Sequence, residues 1–333
     1  MYYMPPEWSK HRGTITTYPH SKENFFDELE EVREQFINFI KYISEGEKVF
    51  INVNSEDERI ELEKKLKKEN INNVEIFINP TNDVWCRDNC PIFVKDKRGK
   101  TVALKFRFNG WGEKYPYKLD DIAGRKITEL LGVERVDIDI VLEGGAIDTN
   151  GKDYLLTTEA CLLNRNRNPN LSREEIEKKL KFYFGVKNII WLKNGLAGDD
   201  TDGHIDNITR FVSDRVILTA VDNNKNSENY EILNENLKIL KGLKGFYIEE
   251  IPLPEPIYYK YPYEEEESIL PANYMNFYIT NKYVIVPTFY RETDKIALDK
   301  IQKHFKDRKV IGLPADKILI GKGAFHCLTQ QVI

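Results

Sequence analysis

Residues 49–78 switch between the two regular hydrophobic periods, and that switch constrains the fold more than any other feature. Val49-Phe50-Ile51-Asn52-Val53 has the β-branched and aromatic content of a strand. Ser55, with Glu58 three residues on, reads as a capping box that opens a helix running to about Asn70. Val74-Glu75-Ile76-Phe77-Ile78 then alternates as a strand and stops at Asn79-Pro80. Upstream, Phe25, Leu29, Val32, Phe36, Phe39 and Ile43 recur at helical steps behind a Ser21 cap.

The same grammar returns every fifty to seventy residues. Strands are expected near residues 101–106, 136–142, 154–157, 189–192, 216–221, 283–286, 310–313 and 318–320. Helices are expected near 119–131, 172–184, 228–240 and 293–305. Ser172 with Glu175 forms a second capping box, and Gly185 can terminate that helix. Strands mixed with helices in this way read as an α/β protein. No Ser/Gly linker divides the chain. The Pro- and Tyr-rich segment 253–271 reads as an ordered surface loop, with the glutamates of 264–267 as a solvated face. One domain spanning 1–333 is the expectation.

Bulk properties exclude several classes. A net charge of −5 with scattered lysines offers no basic stripe for nucleic acid. No apolar run approaches a membrane span, and the Pro-rich start lacks the basic and apolar regions of a signal peptide. The four cysteines, Cys86, Cys90, Cys161 and Cys327, form no paired CxxC motifs and no disulfide framework. A reduced, cytoplasmic protein is expected.

The stretch 199–206 packs four aspartates and a histidine into eight residues. Read as extended, it places Asp200, Asp202, His204 and Asp206 on one side and Ile205 on the other. So many acids on one face repel each other unless a cation lies among them. That cation is a metal, a basic side chain or a positively charged substrate. An EF-hand spacing fails, because Phe211 stands where the closing glutamate belongs. There is no HExxH and no phosphate-cradling GxxxxGK[ST].

Other polar clusters end apolar runs, where α/β proteins build sites. They include residues 82–91, Glu143-Gly144-Gly145 and 321–331. Cys327 follows two glycines that allow close backbone approach. A nucleophilic cysteine needs positive charge nearby. His326 is adjacent, but strand neighbours point to opposite faces, so His204 is the better partner. His304 is expected in solvent, and pattern alone does not place His11 and His20. Asp88 and Trp85 suit a flat cation, since a guanidinium pairs with carboxylates and stacks on rings.

Eight motifs in order, from residue 6 to 331, carry a resemblance to a known family. They are Pro6-Glu7-Trp8 with His11, Trp85-Cys86-Arg87-Asp88, Glu143-Gly144-Gly145, Thr157-Thr158-Glu159 with Cys161-Leu162-Leu163-Asn164, and Asn166-Arg167-Asn168-Pro169. Asp202-Gly203-His204-Ile205-Asp206-Asn207, Asn276-Phe277-Tyr278-Ile279 and His326-Cys327-Leu328-Thr329-Gln330-Gln331 complete them. The chain resembles the agmatine deiminases (agmatine iminohydrolases) of the bacterial peptidylarginine-deiminase-like family, within the pentein superfamily. The resemblance implies a propeller of five ββαβ units around a central active site. It also implies hydrolysis of agmatine to N-carbamoylputrescine and ammonia, a step in putrescine formation, with no metal or organic cofactor. It carries the nucleophile onto Cys327, the general acid/base onto His204 and the guanidinium-binding carboxylates onto Asp88 and Asp206. Asp200 falls where agmatine-specific members hold the substrate with an acid, and Trp85 is expected at the substrate.

The chain also departs from the family. Ile15 and Tyr18 stand where members usually carry tryptophan, and Cys90 replaces a glycine. Lys322 interrupts a glycine run, and Ala324-Phe325 replace Asn and Ile. Lys322 is expected to reach solvent; pointing inward, it would disfavour a dication such as agmatine. Three alternatives stand beside agmatine hydrolysis. They are deimination of free or peptidyl arginine, a metal-dependent hydrolase using 199–206, and a non-enzymatic pentein binding protein. The expected partner is a small guanidino compound rather than nucleic acid or membrane. The sequence leaves a homo-oligomer open.

Overall fold

The computed structural model describes residues 2–333. It is a mixed α/β structure in which one connection pattern recurs. Strand Ile92–Lys95 pairs antiparallel with Thr101–Arg107, helix Lys118–Leu130 crosses over, and Glu134–Val141 returns parallel to Thr101–Arg107. A parallel return needs such a crossover, because a tight turn only reverses the chain. Strands Asp148–Thr149, Tyr154–Thr158 and Asn188–Leu192 repeat the order around helix Arg173–Phe184. Thr209–Ser213, Val216–Val221 and Tyr247–Pro252 repeat it around Glu228–Lys241. Tyr278–Ile279, Tyr283–Thr288 and Lys309–Pro314 repeat it around Glu292–Gln302.

The fifth sheet joins the two ends of the chain. Gln330–Val332 lies antiparallel to Gly13–Thr17, which pairs in parallel with Lys48–Val53 across helix Leu29–Ser44. Val74–Ile78 extends this sheet beyond helix Glu56–Lys68. Helix Leu29–Ser44 buries Val32, Phe36, Phe39, Ile40 and Ile43. Phe39 stacks on Phe325, ring centroids 4.3 Å apart. Burying two such rings contributes roughly 2 kcal/mol each, and the pair ties the core to the turn that carries Cys327.

The capping box at Ser172 and Glu175 is present, and Gly185 ends that helix at φ +73°. At the other predicted box, Ser55 accepts from the Glu58 amide, but the Glu58 carboxylate reaches the Asn54 amide instead. Three expectations are corrected. Residues 318–320 form a 3₁₀ turn, Ile318–Gly321, rather than a strand. Segment 253–271 carries a hairpin, Ile257–Tyr259 with Ser268–Leu270. The stretch 199–206 is not extended: Asp202 at φ +67° and Gly203 at φ +98° turn the chain before the 3₁₀ turn Ile205–Asn207.

Candidate active site

In each of the five sheets other than the hairpin, a short antiparallel strand follows a polar turn, and those five turns meet. Helix Cys86–Asn89 precedes Ile92–Lys95 and carries Asp88. The 3₁₀ turn Gly144–Ala146 precedes Asp148–Thr149. His204 and Asp206 lie just before Thr209–Ser213. Asn276 lies just before Tyr278–Ile279, and Cys327 just before Gln330–Val332.

Gly145 marks the point of convergence. A Cβ there would fall 2.5 Å from His204 Nδ1, 2.9 Å from Asp88 Oδ1 and 3.1 Å from Asp206 Oδ2. Only glycine leaves those three groups room. The Gly145 amide donates to Asp88 Oδ1 at 2.9 Å, and Trp111 Nε1 donates to Asp88 Oδ2 at 2.9 Å. His204 Nδ1 is 3.7 Å from Asp88 Oδ1. Cys327 Sγ is 3.8 Å from Asp206 Oδ2. Asp206 Oδ1 and both ring nitrogens of His204 are buried without a hydrogen-bond partner. Buried polar atoms are rarely left so.

A cavity of about 90 Å³ opens onto this cluster. Asp88, Cys327, Trp85, Trp111, Asp200 and Lys322 are among the residues that line it. His204 and Asp206 are fully buried and are not among the lining residues. Trp85 lies against Gly321 and Gly323, where an added Cβ would sit 2.8 Å and 2.6 Å from its ring.

Electrostatics divide the roles. Burial alone would depress His204, but Asp88, Cys161 and Glu143 outweigh it and hold the imidazole well above its ordinary range. Burial, then Asp206 and Asp88, pushes the Cys327 thiol well up. Burial also raises Asp88, with His204 opposing. Asp206 goes the other way: burial is overcome by His326 through its hydrogen bond and charge. His326 Nδ1 is 2.6 Å from Asp206 Oδ2, and its Nε2 is 2.7 Å from Glu7 Oε2. Arg210 donates to the same Glu7 oxygen at 2.8 Å.

The acidic stretch therefore splits rather than sharing one face. Asp199 accepts from the Thr201 and His204 amides and holds the turn. Asp202 pairs with Arg167 and Lys114, each at 2.7 Å. Asp200 pairs with Lys322 at 2.8 Å and accepts from the Tyr115 hydroxyl. Basic side chains thus answer most of the charge. Among the described residues, the trio whose ligand atoms lie within 4.8 Å of one another is Glu143, Cys161 and His204. Asp200, Asp202 and Asp206 do not join His204 in a metal-sized cluster, and Arg167 Nε holds Glu143 at 2.6 Å.

Lys322 points into the cavity, which overturns the expectation that it reaches solvent. His326 is not on a strand and serves Asp206 rather than the thiol. His304 is half-buried beside Glu249 at 3.3 Å. His11 contacts Glu47 at 3.0 Å, and His20 contacts Thr81 at 3.1 Å. Ile15 and Tyr18 are fully buried in the core and do not line the cavity. Sequence reasoning passed over Trp111 and Tyr115, and it gave no role to Glu7 or Asn276, although both stand in the motifs named above. The signal for Trp111 was its setting in Gly110-Trp111-Gly112, a turn in which Trp111 itself takes φ +56°.

Among the described residues, no helix is long and apolar enough to cross a membrane. Residues 3–332 match the family model of Porphyromonas-type peptidyl-arginine deiminase. The chain is 34% identical over 360 residues to an agmatine deiminase of Ectopseudomonas mendocina (strain ymp), covering 99% of this chain and 95% of that one. A C. jejuni agmatine deiminase solved with substrate bound superposes with a TM-score of 0.91 at 36% identity, covering 100% of this chain and 96% of that one. The agmatine deiminase of Enterococcus faecalis superposes at 0.93 with 30% identity, covering 99% and 95%. By full-length match and by structure, the chain belongs to the Porphyromonas-type peptidyl-arginine deiminase family.

Proposed function

We propose that this protein hydrolyses the guanidinium group of agmatine to N-carbamoylputrescine and ammonia, through a covalent amidino-cysteine on Cys327. The convergence of His204, Asp88 and Asp206 on Gly145, with Cys327 Sγ 3.8 Å from Asp206 and lining one cavity with Asp88, Trp85 and Trp111, carries this reading. The substrate names of its agmatine deiminase relatives accord with it.

A guanidinium carbon is a poor electrophile because its charge is delocalised. Asp88 and Asp206 hold the planar cation in a fixed orientation. The same bound cation offsets the two carboxylates that keep the thiol protonated, so substrate binding favours the thiolate. The thiol gives its proton to water in the cavity, since His204 is already charged, and the thiolate Sγ attacks the guanidinium carbon to form a neutral tetrahedral adduct. His204, held in its charged form by Asp88 and its other buried neighbours, gives its proton to the departing nitrogen. Ammonia leaves, and a planar, cationic amidino-thioether remains between the carboxylates. Neutral His204 then takes a proton from water, whose oxygen attacks the same carbon. Collapse expels the Cys327 thiolate, and the hydroxyl proton of the adduct passes through water to that thiolate, which leaves the neutral ureido product and the resting thiol. Protein side chains and water handle every proton and electron pair in these steps.

We also infer that the five sheets stand as ββαβ blades of a closed pentein propeller, in one domain spanning residues 1–333. The repeated connection pattern and the pairing of Gln330–Val332 with Gly13–Thr17 support this.

The test is ammonia and ureido product formed from agmatine in the presence of a chelator. Turnover that persists in chelator and vanishes in Cys327→Ala supports the reading. Turnover retained by Cys327→Ala contradicts it.

A further inference from the structure

The cavity that Cys327 lines already contains a cation. Lys322 Nζ donates to Asp200 Oδ2 at 2.8 Å and lies 5.2 Å from the centroid of the Tyr261 ring. The Tyr115 hydroxyl donates to the same Asp200 oxygen. The lysine side chain is 21% exposed and the aspartate 33%. Both residues line the cavity that ends at Cys327.

The backbone explains why the lysine is held there. Lys322 sits at φ +65°, a left-handed conformation that favours glycine. Its neighbours Gly321 and Gly323 lie against Trp85, where neither tolerates a Cβ without displacing the ring. The turn is therefore clamped on the tryptophan, and its one side chain is directed across the cavity to Asp200.

We infer that Lys322 sets specificity at the distal end of the pocket and widens the substrate class to guanidines that end in a carboxylate. This rests on the proposed guanidine hydrolysis and adds the identity of the other end of the substrate. An aspartate alone attracts a distal ammonium, whereas an aspartate paired with a lysine presents no net charge to it. A dication such as agmatine must displace Lys322 before Asp200 can hold its ammonium. A distal carboxylate finds Lys322, whose ammonium keeps two N–H donors beyond the one given to Asp200. A neutral alkyl end disturbs nothing.

Binding separates this inference from turnover. Dissociation constants of agmatine, butylguanidine and 4-guanidinobutyrate would be measured by calorimetry on the full chain carrying Cys327→Ala. With Lys322 present, butylguanidine and 4-guanidinobutyrate bind at least as tightly as agmatine. Adding Lys322→Gly, which suits the left-handed backbone, tightens agmatine and weakens 4-guanidinobutyrate, each by about two- to fivefold. Lys322→Met serves as a second variant with the same expected direction. Agmatine bound more than tenfold tighter than butylguanidine, with a ratio unmoved by either substitution, overturns the inference. If binding follows the expected order but wild-type protein turns over none of the three, the specificity inference stands and the proposed hydrolysis fails. Absence of binding by all three overturns both.

Discussion

Asn276 grips Cys327 at two points: its Nδ2 donates to Sγ at 3.0 Å, and its Oδ1 accepts from the Cys327 amide at 3.1 Å. One side chain thereby fixes the turn and the direction of the sulfur. The Nδ2 contact also favours the thiolate against the burial and the two carboxylates that oppose it. A hydrogen bond to a charged group contributes about 1.5–3 kcal/mol. Asn276→Ala is therefore expected to lower kcat roughly ten- to hundredfold and to raise the thiol pKa further. Steady-state rates and a pH-resolved alkylation series check this. Unchanged values of both would remove Asn276 from the site.

Gly145→Ala tests the convergence itself. The added methyl meets His204, Asp88 and Asp206 within 3.1 Å. Overpacking of this kind costs about 1–3 kcal/mol, and a displacement near 1 Å at reacting groups costs about a hundredfold in rate. Urea unfolding and kcat/KM on one preparation would report both losses. A variant of wild-type activity would mean that the three side chains do not act together.

Reactivity of Cys327 should depend on the charge of the reagent. Burial, Asp206 and Asp88 hold the free thiol above its ordinary range. Neutral iodoacetamide should react slowly at neutral pH and accelerate as pH rises past that range. A cationic haloacetamidine, seated between the same carboxylates, should react faster, with its profile displaced to lower pH. Asp206→Asn should speed the neutral reagent and slow the cationic one, because one carboxylate has gone. Equal rates for both reagents at neutral pH would contradict the charge assignment.

Asp120 gives a pH signature in stability that is separate from activity. Burial, then the charge of Asp83, raises its carboxyl from 3.8 to about 8. The folded protein thus holds a proton that the unfolded chain releases across that window. The Asp120 contribution is complete below pH 3.8 and declines as pH climbs toward about 8. At most about 1.4 kcal/mol is lost per pH unit from one such group. Asp120→Asn keeps an oxygen for the Asn82 and Asp83 amides that Oδ1 now serves. It should flatten the slope of unfolding free energy between pH 5 and about 8, as read by urea titration. A slope identical to wild type would assign the pH response elsewhere.

Legibility in the sequence followed element length. Val74–Ile78 and Val216–Val221 have the bounds read from pattern, because each is long enough to show its composition. The first strand of each sheet went unread. Asp148–Thr149 and Tyr278–Ile279 are two residues long and buried, so neither alternation nor a flanking turn marks them. Those same strands position the site turns, which is why ordered motifs, rather than periodicity, pointed to Cys327, His204, Asp88 and Asp206. The acidic stretch misled for a local reason: Gly203 was the only cue to a turn, and Asp202 takes a positive φ without being glycine. Nothing near Lys322 in sequence indicated Asp200, since the partners are 122 residues apart. His326 likewise reached Asp206 and Glu7 only through the fold.

Mass spectrometry of the intact chain during turnover tests the central claim most directly. Protein quenched in acid while hydrolysing agmatine should carry the mass of an amidino-alkyl adduct, and peptide mapping should place it on Cys327. The adduct should accumulate in His204→Gln only if the first proton transfer has another donor, and should be absent from Cys327→Ala. Ureido product released with no adduct at Cys327 at any time point, from a preparation that Cys327→Ala leaves fully active, would contradict the account.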